Sequence, residues 1–213
     1  LGTELSGNVI DVCPVGALTN KVFRFRARPW ELIARESIGY HDAMGSNLYL
    51  HAKSGQGQVL RTVPRDNEAL NECWLSDRDR YSHQGLYAED RLERPMLKVD
   101  GQWREAGWDE AIAAAAGLLK DNAGDDLGVL VHPATSNEEG ALLAALARGL
   151  GTGHVDHRLR QLDFADAPVA EPFAMPVAEV GQADVVVLVG CNLRHELPLL
   201  QQRLRHASRR GTR

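Results

Sequence analysis

The stretch Asp11-Val12-Cys13-Pro14-Val15-Gly16-Ala17-Leu18-Thr19 decides how the first part of the chain is read. A cysteine followed by proline and a small-residue turn is a common way to present a ligand of an iron–sulfur cluster. The thiolate binds iron, the proline ends one element, and the amides of Val15, Gly16 and Ala17 can turn toward the cluster sulfides. Cys13 is therefore the candidate metal ligand and cofactor-binding residue. The other two cysteines, Cys73 and Cys191, stand far from it in the sequence. A cubane cluster normally takes four cysteines, so these three cannot build one alone. They form no C-x-x-C pair and no disulfide framework, which fits a reducing compartment.

Outward from this turn, Lys21 to Trp30 alternates with period two. The pattern predicts a strand with Phe23, Phe25 and Ala27 on one face and Arg24, Arg26 and Arg28 on the other, either solvated or at an interface. Short strands are expected from Glu31 to Val63. Asn47–Ala52 and Gln58–Val63 form a hairpin around Gly55 and Gly57, with Pro64 closing it. Asp66 to Trp74 reads as helical, and Leu75 to Leu86 as polar and irregular. A second hairpin, Met96–Val99 and Gln102–Arg104, turns at Asp100-Gly101.

The chain then changes character. An alanine-rich helix runs from Asp109 to about Asn122 with Ile112, Ala116 and Leu119 on one stripe, and Gly128–His132 follows as a buried strand. Ser136 and Glu139 make a capping box for a helix to about Leu150, which Gly151 ends. After an irregular stretch, Asp163 to Val177, Asp184–Gly190 is a second continuous apolar strand, and a last helix runs from about Glu196 to Arg209. Its basic end, Arg203, Arg205, Arg209 and Arg210, is expected to face solvent. Helices alternating with buried strands describe an α/β layer with a parallel sheet. Two such strands do not complete a sheet, and Leu1–Gly7 carries neither an initiator methionine nor a signal-peptide pattern. The expectation is an internal piece of a longer chain, α+β at first and α/β afterwards.

The 213 residues suffice for one large or two small domains, and a net charge of −5 gives no long-range attraction to nucleic acid or anionic lipid. The apolar run Val185–Val189 is too short to cross a bilayer, so no direct membrane insertion is expected.

These residues together resemble a known family. Glu4-Leu5-Ser6-Gly7-Asn8 before C-P-V-G-A-L-T, then Arg24–Leu32, Ser37-Ile38, Gly45-Ser46-Asn47, Asn71–Asp77 and Gly190-Cys191-Asn192, are similar to the large iron–sulfur subunit of respiratory NADH:quinone oxidoreductase. That family is related to the molybdopterin oxidoreductases. The resemblance implies that residues 1–30 end a ferredoxin-like 4Fe-4S domain. Residues 31–94 then form a small β-rich domain of the molybdopterin-oxidoreductase type, and 95–213 a partial α/β domain. It implies that Cys13 is the last of four ligands of a 4Fe-4S cluster, the other three lying upstream. It also implies electron relay from NADH and flavin toward quinone. The implied partners are the other subunits of the peripheral arm, including the flavin-bearing one. The implied place is the cytoplasmic face of the bacterial inner membrane, or the matrix side in mitochondria. In relatives with a further cluster in the β-rich domain, the cysteine positions match Gly39, Asp42, Ser46 and Ser76 here, so that domain is expected to have lost its cluster, and no molybdopterin is expected. The alternative is a fragment of a molybdopterin-dependent, formate-dehydrogenase-like oxidoreductase.

Taken without that context, the remaining candidates have simpler readings. Cys73 reads as a packing residue, and Cys191 as a strand-end residue rather than a thiol activated by His195. His41, His51 and His83 lack metal-ligand spacing, and His154 and His157 read as sharing one face of a turn. Gly149, Gly151 and Gly153 follow a helix rather than a strand and so do not make a phosphate loop.

Overall fold

The computed structural model describes residues 2–55, 57–132, 134–157 and 175–213. The chain divides into two compact units. One contains the described residues up to 88 together with those from 175 onward, and the other the described residues from 89 to 157.

In the first unit a one-turn helix, α1 (Asn8–Asp11), leads directly into the Cys13 turn. The strand expected at 21–30 is not formed. Asn20 captures the backbone instead: its side chain accepts from the Val22 amide at 3.0 Å, its carbonyl accepts from Arg24 at 2.8 Å, and Arg26 donates to Phe23 at 3.0 Å. An asparagine that bonds its own following backbone offers the chain a turn in place of a ladder. Phe25 takes a positive φ of 66° and is 98% exposed, which breaks the alternation, while Phe23 packs under the Arg61 guanidinium at 4.4 Å.

A 3-10 turn at Pro29–Glu31 opens the sheet: β1 (Leu32–Ile38), β2 (Asn47–Lys53) and β3 (Val59–Pro64), antiparallel in sequence order. The β2–β3 hairpin is the one anticipated, with Gly55 and Gly57 at positive φ. Residues 66–74 are turns rather than a helix. Asn67 accepts from the Ala69 amide through its side chain and from Leu70 and Glu72 through its carbonyl, and Glu72 sits at φ 52°. The next stretch is more regular than expected. Ser76 caps α2 (Asp77–Tyr81) through the Asp79 amide, and a 3-10 segment, Ser82–Tyr87, follows.

In the second unit β4 (Met96–Val99) and β5 (Gln102–Glu105) form the expected hairpin, with both Asp100 and Gly101 at positive φ as a tight connection requires. α3 (Trp108–Asp121) is followed by β6 (Gly128–Leu130), α4 (Asn137–Gly149) and β7 (His154–Asp156). The Ser136–Glu139 capping box at α4 is present in both directions. β6 and β7 pair in parallel with α4 as the crossover, so His154 lies in a strand rather than a turn. β6 is not buried: Leu130 is 69% exposed.

The chain then returns to the first unit. Most of the irregular stretch expected at Asp163–Val177 lies outside the described residues, which resume at 175 and lead into α5 (Val177–Val180). Residues 184–190 do not form a strand. They make two backbone hydrogen bonds with Arg213, and Val187 and Val189 remain 76% and 82% exposed. An apolar run becomes a strand only where neighbouring edges accept its hydrogen bonds, and none of the described strands does so. α6 (Leu193–Glu196) and α7 (Pro198–Ser208) complete the unit. Arg203 of α7 does not face solvent. It donates to the carbonyls of Glu68 and Leu70 at 2.7 and 2.9 Å and pairs with Glu72 at 3.3 Å, so it ties α7 to the 66–74 turns.

Among the described residues, no helix is long and apolar enough to cross a membrane.

Candidate iron–sulfur ligand and the site around Asp79

Cys13 stands two residues beyond the end of α1, half exposed, its own amide donating to Ile10. Gly16 takes φ 63° and its amide donates to the Cys13 carbonyl, which curls the following residues back over the cysteine. The amides of Leu18, Ala17, Val15 and Gly16 then act on the sulfur. The Leu18 amide leads in holding the thiol below its ordinary pKa, against a smaller opposing effect of burial. A nest of N–H donors around a sulfur favours the thiolate and accepts the negative charge of a cluster. The turn therefore fits one corner of an iron–sulfur site. Among the described residues no group of three or more His, Cys, Asp or Glu side chains comes together to hold a metal. Cys73 and Cys191 are both exposed, so Cys73 is not the packing residue that its flanks suggested, and Cys191 does not end a strand.

The four positions Gly39, Asp42, Ser46 and Ser76 do converge, but around a carboxylate. Gly39 donates to the Ser46 carbonyl at 2.7 Å, just beyond the last β1–β2 pair. The Ser76 hydroxyl bonds Asp79 Oδ2 at 3.1 Å, and a Cβ placed on Gly39 would lie 2.7 Å from the Asp79 carboxylate. Asp79 thus fills the volume into which a ligand at position 39 would reach. It is 3% exposed, and burial first, then the nearby Asp42, pushes its pKa up to about 6. None of the four positions carries a thiolate, so a second cubane does not fit here.

Between the two sites runs a polar seam that sequence reasoning missed. The Asn8 side chain donates to the Leu75 carbonyl at 2.7 Å and accepts from the Leu75 amide at 3.0 Å. The Asp77 carboxylate accepts from the amides of Ser6 and Gly7 at 3.0 and 2.7 Å, capping the start of α1. Arg80 donates to Asn8 and Asp11. One signal was available: Ser76 followed by Asp77 and Asp79 is a helix start, and a helix there brings Arg80 back under its first turn.

Three family models match the chain. They are "NADH-quinone oxidoreductase subunit 3, ferredoxin-like domain" over residues 1–19, "NADH-ubiquinone oxidoreductase NDSU1/NuoG-like, 4Fe-4S domain" over 32–84, and "Molybdopterin oxidoreductase" over 91–212. Among curated proteins, the G subunit of NADH-quinone oxidoreductase from Rickettsia felis is 37% identical over 215 aligned positions, covering 100% of this chain and 31% of its own length. Its counterpart from Rickettsia conorii is 37% identical over 207, covering 96% of this chain and 30% of its own length. The counterpart from Rickettsia bellii is 35% identical over 215, covering 100% of this chain and 31% of its own length. The chain spans about a third of the length of these relatives.

Proposed function

Since this chain belongs to the molybdopterin oxidoreductase family and is similar over its whole length to about a third of the G subunit of NADH-quinone oxidoreductase, we propose that it serves electron transfer in such a complex. Cys13 would be its cluster ligand. The observation that carries this is the turn after Cys13, in which Gly16 at positive φ donates to the Cys13 carbonyl and the Val15–Leu18 amides favour the ionised sulfur, in the segment matched by a ferredoxin-like domain.

A 4Fe-4S cluster supplies a one-electron carrier whose potential follows its net charge and the hydrogen bonds to its sulfurs. The residues here do the rest. Cys13 offers a sulfur whose ionisation its neighbours' amides favour, and its backbone hangs from α1 through the Cys13 amide bond to Ile10. The remaining ligands come from outside the described residues. Residues 1–30 are then the end of a ferredoxin-like domain, 31–94 a β-rich domain in which Asp79 has replaced a cluster, and 95–213 part of an α/β domain retained as scaffold. The partners are the other subunits of the peripheral arm, with the flavin-bearing subunit as electron source, and the protein lies on the cytoplasmic side of the membrane.

The test is Cys13→Ala in the assembled complex. NADH-driven quinone reduction is expected to fall at least tenfold, while NADH oxidation by an artificial acceptor at the flavin persists. Unchanged quinone reduction would exclude the ligand role.

A further inference from the structure

Arg80 is the largest fully buried side chain among the described residues, with 2% of its surface exposed. An arginine is almost never buried so completely unless it is paired, and here the pairing falls on one end of the guanidinium while its Nε has no hydrogen-bond partner. Its Nη2 donates to Asn8 Oδ1 at 2.9 Å and to Asp11 Oδ2 at 2.6 Å, and both acceptors lie on α1. Asp11 is the last residue of that helix and stands two positions before Cys13. The Val12 amide donates to the Asn8 carbonyl and the Cys13 amide to that of Ile10, so the backbone of Cys13 hangs from the helix that Arg80 grips. The same segment reinforces the grip, with Asn8 on the Leu75 backbone and Asp77 on the amides of Ser6 and Gly7. Gly7 has no room for a side chain, because a Cβ there would collide with the Arg80 stem. Residues 75–80, from the segment that carries no cluster, therefore fix the turn that ends in the ligand.

We propose that Arg80 is a positioning residue for an iron–sulfur site at Cys13. It sets the reach of the thiolate through α1, and its guanidinium, paired with Asp11, sets the charge against which the site is reduced. The inference rests on the reading of Cys13 as a ligand. Reduction adds one negative charge, so a nearby cation favours it and a nearby anion opposes it, more strongly where water is excluded. Removing Arg80 leaves the Asp11 carboxylate uncompensated, whereas removing the Asp11 charge leaves Arg80 uncompensated. The two changes therefore move the potential in opposite directions, which a purely structural role for the pair does not do.

The experiment uses the intact complex carrying Arg80→Met, Arg80→Lys, Asp11→Asn or Cys13→Ala, with iron and labile-sulfide content and a redox titration followed by EPR. The signal lost in Cys13→Ala identifies the site. In Arg80→Met that signal is expected to fall several-fold in intensity and to move to lower potential. Arg80→Lys, which keeps the charge and loses the fork, recovers most of the potential and part of the occupancy. Asp11→Asn moves the potential upward with near-normal occupancy, and it carries the electrostatic claim even if Arg80→Met does not assemble. Wild-type potential and g-values in both Asp11→Asn and Arg80→Lys would overturn the proposal. A Cys13→Ala complex that keeps every signal would instead overturn the ligand reading beneath it.

Discussion

The two units of the chain contain opposite kinds of interior. In the first, the most deeply buried side chains are mainly polar: Arg80, Asn71, Thr62, Ser46 and Ser76 accompany Leu75, each at 2% exposure or less. Asn71 shows how they work, accepting from the Asn47 amide at 2.9 Å while its own amide donates to the carbonyls of Asn47, Arg65 and Trp74. Loops with no ladder of their own are joined by side chains that satisfy their backbone. The second unit has regular helices, a hairpin and a parallel strand pair, yet Ala147 and Thr152 are its only described residues that are buried. Trp103, Trp108, Ile112, Leu130 and Leu142 each have 61% or more of their surface exposed. Parallel strands are ordinarily covered on both faces, and among the described residues of this unit the local structure of an α/β layer is present with little of that covering. Regular secondary structure and a closed interior are separate achievements here: the first unit joins its sheet and α7 to buried polar turns, and the described part of the second has regular elements with little of them buried.

The contrast is broken most directly at Leu75, which is wholly buried. Leu75→Ala is expected to destabilise the first unit by about 2–5 kcal/mol. Leu142→Ala, at a residue 71% exposed, should change stability by less than about 0.5 kcal/mol. Urea denaturation of the two variants decides, and similar effects would remove the distinction between the units.

Asp79 gives the next largest effect, with the opposite sign. Its folded pKa of about 6 lies above the ordinary carboxylate value of 3.8, so the folded chain binds the extra proton between those two values. Its contribution is therefore favourable at low pH and is lost as pH rises from about 4 to 6, leaving a penalty on the order of 3 kcal/mol above that range. Asp79→Asn should stabilise the first unit at pH 8 by up to about that amount and flatten this part of the pH profile. A variant that is less stable than wild type at pH 8 would show that the carboxylate is needed in its charged form.

The smallest change concerns the second unit. Ser136→Ala removes the hydroxyl that accepts from the Glu139 amide at 3.2 Å and is expected to cost about 1 kcal/mol. Because so little of that unit is buried, the loss should appear as fraying of α4, seen as faster amide exchange over residues 137–141, with the first unit unchanged.

What could be read in the sequence follows the same division. Turn and cap chemistry is local, so the Gly55/Gly57 and Asp100-Gly101 hairpins, the Ser136–Glu139 cap and the turn of Val15–Ala17 beside Cys13 were legible, whereas the leading effect of Leu18 on the thiol was not. The failures came where short-range pattern competed with a polar side chain. Asn20 turned an alternating segment away from the ladder, and Asn67 unwound an expected helix. At 184–190 hydrophobicity marked a strand, but a strand also needs partners, and periodicity does not contain them. The seam of Asn8, Asp77 and Arg80 was invisible for a related reason. Polar and charged residues separated by about 70 positions carry no pattern that predicts their burial against one another.

The central claim is that the Cys13 thiolate, favoured by the amides of its own turn, is a ligand of an iron–sulfur cluster. The most direct measurement is low-temperature EPR of the reduced full-length protein with and without Cys13→Ala. The account predicts that one 4Fe-4S signal disappears or converts to a three-iron form while the remaining signals keep their g-values. An unaltered full set of signals in the variant would contradict it.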